Sequence, residues 1–207
     1  MKKRWILLAM AFTALYEVPV IAQEQETKSW AFDIEANSYF FKGGDYIFLP
    51  VVKADKDWLH TEVRYNYEDL KTVSGWAGYN FSGGEKTAYV ITPMVGVLTG
   101  QTKGVAAGLE FSLAFGKFEF YSEGEYVWDA ANPEYNFFYN WSDITYSPQD
   151  WWWIGFSGQR TRLFTTDLAY QRGFLIGASL KQWAFTGYLY NLGYGEPFFL
   201  FTIGVEF

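Results

Sequence analysis

The chain has 207 residues, 50% hydrophobic and 22% aromatic, with a formal net charge of -7, no cysteine and one histidine, His60. That length suits one domain, and the apolar share is too high for a disordered chain. The missing cysteines exclude a disulfide framework, thiolate catalysis and sulfur-ligated metals; a lone imidazole excludes metal sites that need two, and an acidic chain has no basic face for nucleic acid.

Lys2, Lys3 and Arg4 precede an uncharged apolar stretch from Trp5 to Tyr16, and Val20-Ile21-Ala22 offers small or aliphatic residues at a cleavage site. This pattern predicts an export signal over residues 1–22 and a mature domain over 23–207. The apolar stretch, ended by Glu17 and Pro19, is too short to span a bilayer as a helix. Ten Trp, sixteen Tyr and twenty Phe are more aromatic residues than a soluble core of this size needs.

From there the chain alternates. In Trp30–Phe40 one face carries Trp30, Phe32, Ile34 and Phe40, and the other Asp33, Glu35, Asn37 and Tyr39. In Trp58–Glu68, Leu59, Thr61, Val63, Tyr65 and Tyr67 oppose Trp58, His60, Glu62, Arg64, Asn66 and Glu68. In Val105–Phe115, Val105, Leu109, Phe111, Leu113 and Phe115 oppose Ala106, Gly108, Glu110, Ser112 and Ala114. The last segment sets Phe199, Phe201, Ile203, Val205 and Phe207 against Leu200, Thr202, Gly204 and Glu206. Such period-2 patterning marks strands with one apolar and one polar face. Turn residues interrupt it at 42–45, 54–56, 69–71, 83–85, 100–103, 116–117, 130–133, 147–149, 165–167, 181–182 and 193–197. The breaks predict an all-β, antiparallel up-and-down barrel of about twelve membrane-spanning strands, or ten if Gly158 and Gly173 mark loops.

Sidedness follows from volume. The bulky aromatic face fits poorly inside a small barrel, so it is expected to meet lipid while Gly, Ala, Ser and carboxylates line the lumen. Closure is then compulsory, because an unpaired backbone group costs several kcal/mol in hydrocarbon. Trp30, Tyr46, Trp58, Tyr67, Trp128 and Trp183, near strand ends, are expected in the interfacial girdles.

With its signal segment, chain-wide alternation and terminal Phe199-x-Phe201-x-Ile203-x-Val205-x-Phe207, the sequence resembles bacterial outer-membrane β-barrel proteins. The resemblance implies an outer-membrane location, contact with outer-membrane lipids, and a C-terminal signal read by the assembly machinery at those five residues.

Several groups could carry chemistry. His60, Glu62 and Arg64 project from one strand face, about 6.5–7 Å apart in succession. Such a set can form a luminal ion-pair network, or supply a base to a hydroxyl such as Ser74 or Ser112, as in barrel-embedded lipid hydrolases. Asp33, Glu35, Glu110, Glu119, Glu123, Glu125 and Glu206 share the inward parity, an acidic lining that raises local cation concentration. Arg160 and Arg162 share the parity of Trp152, Ile154 and Phe156, which predicts a rim position able to contact lipid phosphates, or, if a bulge near Gly158 turns them inward, a basic patch opposite the acidic one. No phosphate loop, nucleotide fingerprint or metal constellation appears, so neither cofactor nor metal is expected. The reading is a small pore for neutral or cationic solutes, with a non-conducting structural barrel and a His60 lipid hydrolase as alternatives.

Overall fold

A computed structural model describes residues 29–160 and 170–207. Alternating residues form strands β1 (Ala31–Phe41), β2 (Tyr46–Lys56), β3 (Leu59–Tyr65), β4 (Thr72–Tyr79), β5 (Phe81–Gly83), β6 (Thr87–Gly100) and β7 (Gly104–Phe115). They continue with β8 (Phe118–Asp129), β9 (Phe137–Gln149), β10 (Trp152–Arg160), β11 (Gln171–Leu180), β12 (Trp183–Tyr190) and β13 (Phe198–Glu206). Each pairs antiparallel with its chain neighbour, except that β4 and β5 are two halves of one stave, both paired to β6 and separated at Asn80. Counting that stave once, the described residues build a twelve-stranded barrel. A seam between β1 and β13 closes it, running from Asp33↔Glu206 to Phe41↔Phe198, and Phe32 and Phe207 exchange backbone bonds of 2.8 and 3.0 Å.

The two rims differ. Two-residue turns at Asp57-Trp58, Gly116-Lys117, Asp150-Trp151 and Lys181-Gln182 lie at the end where β13 finishes; the connections 66–71, 130–136 and 191–197 lie at the other. Short turns mark the periplasmic side of an outer-membrane-type barrel and longer loops the outer side. Two turns fall later than the sequence suggests. Asp55 remains in the ladder opposite His60, and the chain reverses only at Asp57, whose φ of 55° supplies the left-handed residue. Similarly, β9 runs through Ser147-Pro148-Gln149, and the strand irregularity near Trp152 absorbs the proline. The break expected at 165–167 lies outside the described residues.

The outer wall is apolar at every stave. Val95 (66% exposed), Ile176 (60%), Phe156 (60%) and Val63 (56%) face outward, an apolar band that is stable against lipid and not against water. Trp30, Tyr46, Trp58, Trp128 and Trp183 are exposed near the rims, as girdle residues are. Tyr67 departs from its expected place. Beyond Tyr65 the chain leaves the sheet, Asn66 adopts φ 58°, and the reversed parity turns Tyr67 inward to 8% exposure. The lining is also more aromatic than the volume argument allows. Tyr39, Trp76, Tyr139, Trp141, Trp153, Tyr188 and Tyr190 are all buried inside, because a twelve-stranded cross-section admits rings that a narrower barrel would not.

Candidate luminal site

Alternation along β2, β3, β7 and β8 aims Lys53, Asp55, His60, Glu62, Arg64, Glu110, Tyr121, Glu123 and Glu125 at one volume in the lumen. His60 is held between two carboxylates, Nδ1 2.8 Å from Asp55 Oδ1 and Nε2 2.6 Å from Glu62 Oε1. The Arg64 guanidinium donates from Nε to Glu62, and from Nη1 to Glu123 Oε1 (2.5 Å) and Glu125 Oε2 (3.2 Å). It lies 4.5 Å from the ring centre of Tyr67 and 4.9 Å from that of Trp76, a cation between two aromatic faces. Lys53 Nζ donates to Glu110 Oε1 at 2.8 Å and lies 3.4 Å from Glu62 Oε1.

Hydroxyls complete this belt. Tyr121 donates to Glu110 (3.0 Å) and Glu123 (2.9 Å), Tyr67 to Glu123 (2.8 Å), and Tyr139 to Tyr67 (3.0 Å). Tyr67 and Glu68 arrive from the 66–71 loop, whose side chains fold into the outer end of the lumen. Glu68 accepts from Ser74 (2.5 Å) and Trp76 (3.0 Å), and Asp69 from Thr102 (2.7 Å). Burial pushes the Glu68 carboxyl above its usual range, against the opposing pull of Arg64 and its donors. Asp143, on the other side of the lumen, accepts from Trp141, Ser157 and Tyr188.

These pairs run across the lumen and not only along its wall: Arg64 links β3 to β8, Lys53 links β2 to β7, and Tyr39 on β1 reaches Gln159 on β10 at 3.3 Å. Two cavities of about 20 and 30 Å³ lie on either side of the belt. The periplasmic one is lined in part by Asp33, His60, Asn80 and Thr92, the outer one by Glu35, Asn37, Tyr67 and Asp143. Lys53 and Tyr121 line both and so form the partition.

Of the residues singled out in the sequence, His60, Glu62, Arg64, Glu110, Glu123 and Glu125 come together in the belt. Asp33 and Glu35 line the flanking cavities, and Glu119 is buried inside near the short-turn rim, opposite Thr145. Arg160 ends β10 at the long-loop rim; Arg162 lies outside the described residues. Phe199, Phe201, Ile203 and Val205 form the outer face of β13, and Phe207 continues it beyond the strand's end. Both nitrogens of His60 face carboxylates and Ser74 is committed to Glu68, so His60 and Ser74 are not paired as base and hydroxyl, whereas Ser112 lines the same cavity as His60. Ligand atoms of His60, Glu62 and Glu110 converge within 4.8 Å of one another, but the Lys53 ammonium already supplies positive charge to both glutamates.

Lys53, Asp55, Glu68 and Tyr121 were not visible as site residues. Parity would have found Lys53 and Asp55, since Leu49, Val51, Lys53 and Asp55 form one inward row against Phe48, Pro50, Val52 and Ala54.

No protein-family model and no curated protein sequence matches the chain. Among solved structures it is similar to the KdgM porin, at 10% identity and a TM-score of 0.52, covering 84% of this chain and 99% of that one. A second structure, the KdgM porin in complex with disordered oligogalacturonate, gives 11% identity and a TM-score of 0.53 over 86% and 99% of the two chains. The fold is therefore that of an outer-membrane porin, a closed antiparallel transmembrane barrel.

Proposed function

We propose that the protein is a narrow channel of the bacterial outer membrane that passes small neutral or cationic solutes. The charge of the lining carries this reading: Lys53, His60 and Arg64 are outnumbered by Asp33, Glu35, Asp55, Glu62, Glu68, Glu110, Glu119, Glu123, Glu125 and Asp143. A pore whose carboxylates exceed its cations concentrates positive solutes and repels anions. The KdgM porin has been captured with oligogalacturonate, an acidic oligosaccharide; the acid excess here argues against a polyanion as this chain's solute. Residues 1–22 would direct export, the apolar outer face of β13 with Phe207 would be read by the assembly machinery, and Arg160 with Arg162 would meet lipid phosphates at the outer rim.

Recording from the refolded barrel in planar bilayers tests the reading. Unitary currents whose reversal potential in a salt gradient favours the cation are expected; currents that favour the anion would refute it. A second reading, a non-conducting structural barrel, is favoured by the pairs that cross the lumen and by the small volume of the two cavities. It predicts a silent bilayer at every salt concentration.

A further inference from the structure

The partition in the lumen is made by a mobile kind of side chain holding a fixed kind of site. Lys53 threads a flexible aliphatic stem from β2 and sets its ammonium 2.8 Å from Glu110 Oε1 and 3.4 Å from Glu62 Oε1. The two glutamates stand on separate staves and are held by other partners. Glu62 is fixed by His60 and Arg64, and Glu110 by the Tyr121 hydroxyl. Two observations beyond the acidic cluster point to a ligand: a primary ammonium already occupies the site, and a cavity adjoins it on each side.

We propose that Glu62 and Glu110 form a binding site for primary ammonium groups, that Lys53 is its tethered occupant, and that an amine-bearing solute crosses the belt by taking the place of Lys53. The crossing rests on the channel reading above; the binding site does not. Displacement substitutes one ammonium for another, so the buried carboxylates keep a counter-charge throughout and the cost of stripping them is avoided. Hydrogen-bond donation to Glu110, with the charge held close to Glu62, selects a primary amine over a quaternary one of equal charge. A short unbranched amine suits the site, since the Lys53 ammonium reaches it on such a stem and lies 5.9 Å from the centre of the Tyr121 ring.

Lys53→Ala removes the atoms of n-propylammonium, so that cation is the probe, with tetramethylammonium as the control and Lys53→Met as the variant that keeps the stem without its charge. In detergent, propylammonium is expected to raise the thermal unfolding midpoint of Lys53→Ala saturably, at about tenfold lower concentration than any effect on wild type or Lys53→Met, while tetramethylammonium leaves all three unchanged. If Lys53→Ala fails to refold unaided, propylammonium during refolding should restore its yield and tetramethylammonium should not. Equal responses to the two cations, or none to propylammonium, would overturn the site. In bilayers, block of Lys53→Ala currents by propylammonium at lower concentration than wild type supports displacement. Identical block of the two overturns displacement. A midpoint shift with silent bilayers would instead leave the site standing and sink the channel.

Discussion

Arg64 and Glu123 join two separate parts of the barrel wall, Nη1 of a residue on β3 donating to Oε1 of one on β8, four staves away, at 2.5 Å with both side chains buried. Neither strand is a neighbour of the other in the sheet, so the pair ties together staves that the backbone ladder leaves separate. Removing one member strands the other as an uncompensated buried charge. Arg64→Met is expected to destabilise the folded barrel by about 3–5 kcal/mol, measured by urea unfolding from lipid vesicles. Arg64→Lys should recover only part of that, because an ammonium cannot fork between Glu62, Glu123 and Glu125 as a guanidinium does. Equal stability of Arg64→Met and wild type would mean that the cross-lumen pairs contribute nothing.

Tyr67 pins the inward-folded loop to the belt through its hydroxyl, which donates to Glu123 and accepts from Tyr139. Tyr67→Phe keeps the ring over Arg64 and deletes both bonds. The expected cost is about 1–3 kcal/mol of stability, with faster hydrogen exchange at the amides of residues 66–71 and little change elsewhere. Exchange that is unchanged in that segment would show that the ring, and not the hydroxyl, holds the loop.

What the sequence discloses here is parity, and what it hides is closure. Strict alternation from Val105 to Phe115 suffices to place Glu110 inside and Leu109 outside, and the shared face of His60, Glu62 and Arg64 is legible in the same way. Tyr67 escapes such reading because one left-handed residue, Asn66, inverts the count at the strand's end. Lys53 follows Leu49 and Val51 on the inward row of β2, so parity places it inside, but two apolar residues ahead of it give that row no polar signature until Lys53 and Asp55. Cross-lumen partners are hidden for a further reason. Which staves face each other depends on where the sheet closes, a property of β1 and β13 that no local pattern around Arg64 contains.

Glu68 gives a pH test. Its carboxyl is buried, with Oε2 lacking a hydrogen-bond partner and its folded-state affinity for a proton raised, chiefly by burial. A carboxyl so shifted favours folding while it is protonated in both states, and that contribution is lost as pH rises through the folded value. Glu68→Gln retains an oxygen for Ser74 and Trp76 and stays neutral at every pH. The variant should therefore unfold at a higher midpoint than wild type near neutral pH, with the gap closing as pH falls toward about 4, the ordinary range of glutamate. A gap that widens on acidification would contradict this assignment.

Phe207 separates the stability of the finished barrel from its assembly. Its backbone closes the seam with Phe32, and its ring, 67% exposed, stacks on Phe32 with centroids 5.6 Å apart. Phe207→Ala leaves the backbone bonds and loses one stacking contact, so the refolded barrel should be destabilised by only about 0.5–1.5 kcal/mol. If the terminal aromatic is what the assembly machinery reads, the same substitution should sharply reduce the amount of barrel inserted in cells while refolding into detergent remains near wild type. Deleting Phe207 altogether should impair both, since the two bonds to Phe32 go with it. Insertion in cells at the wild-type level for Phe207→Ala would remove Phe207 from the signal and leave its role at the seam alone.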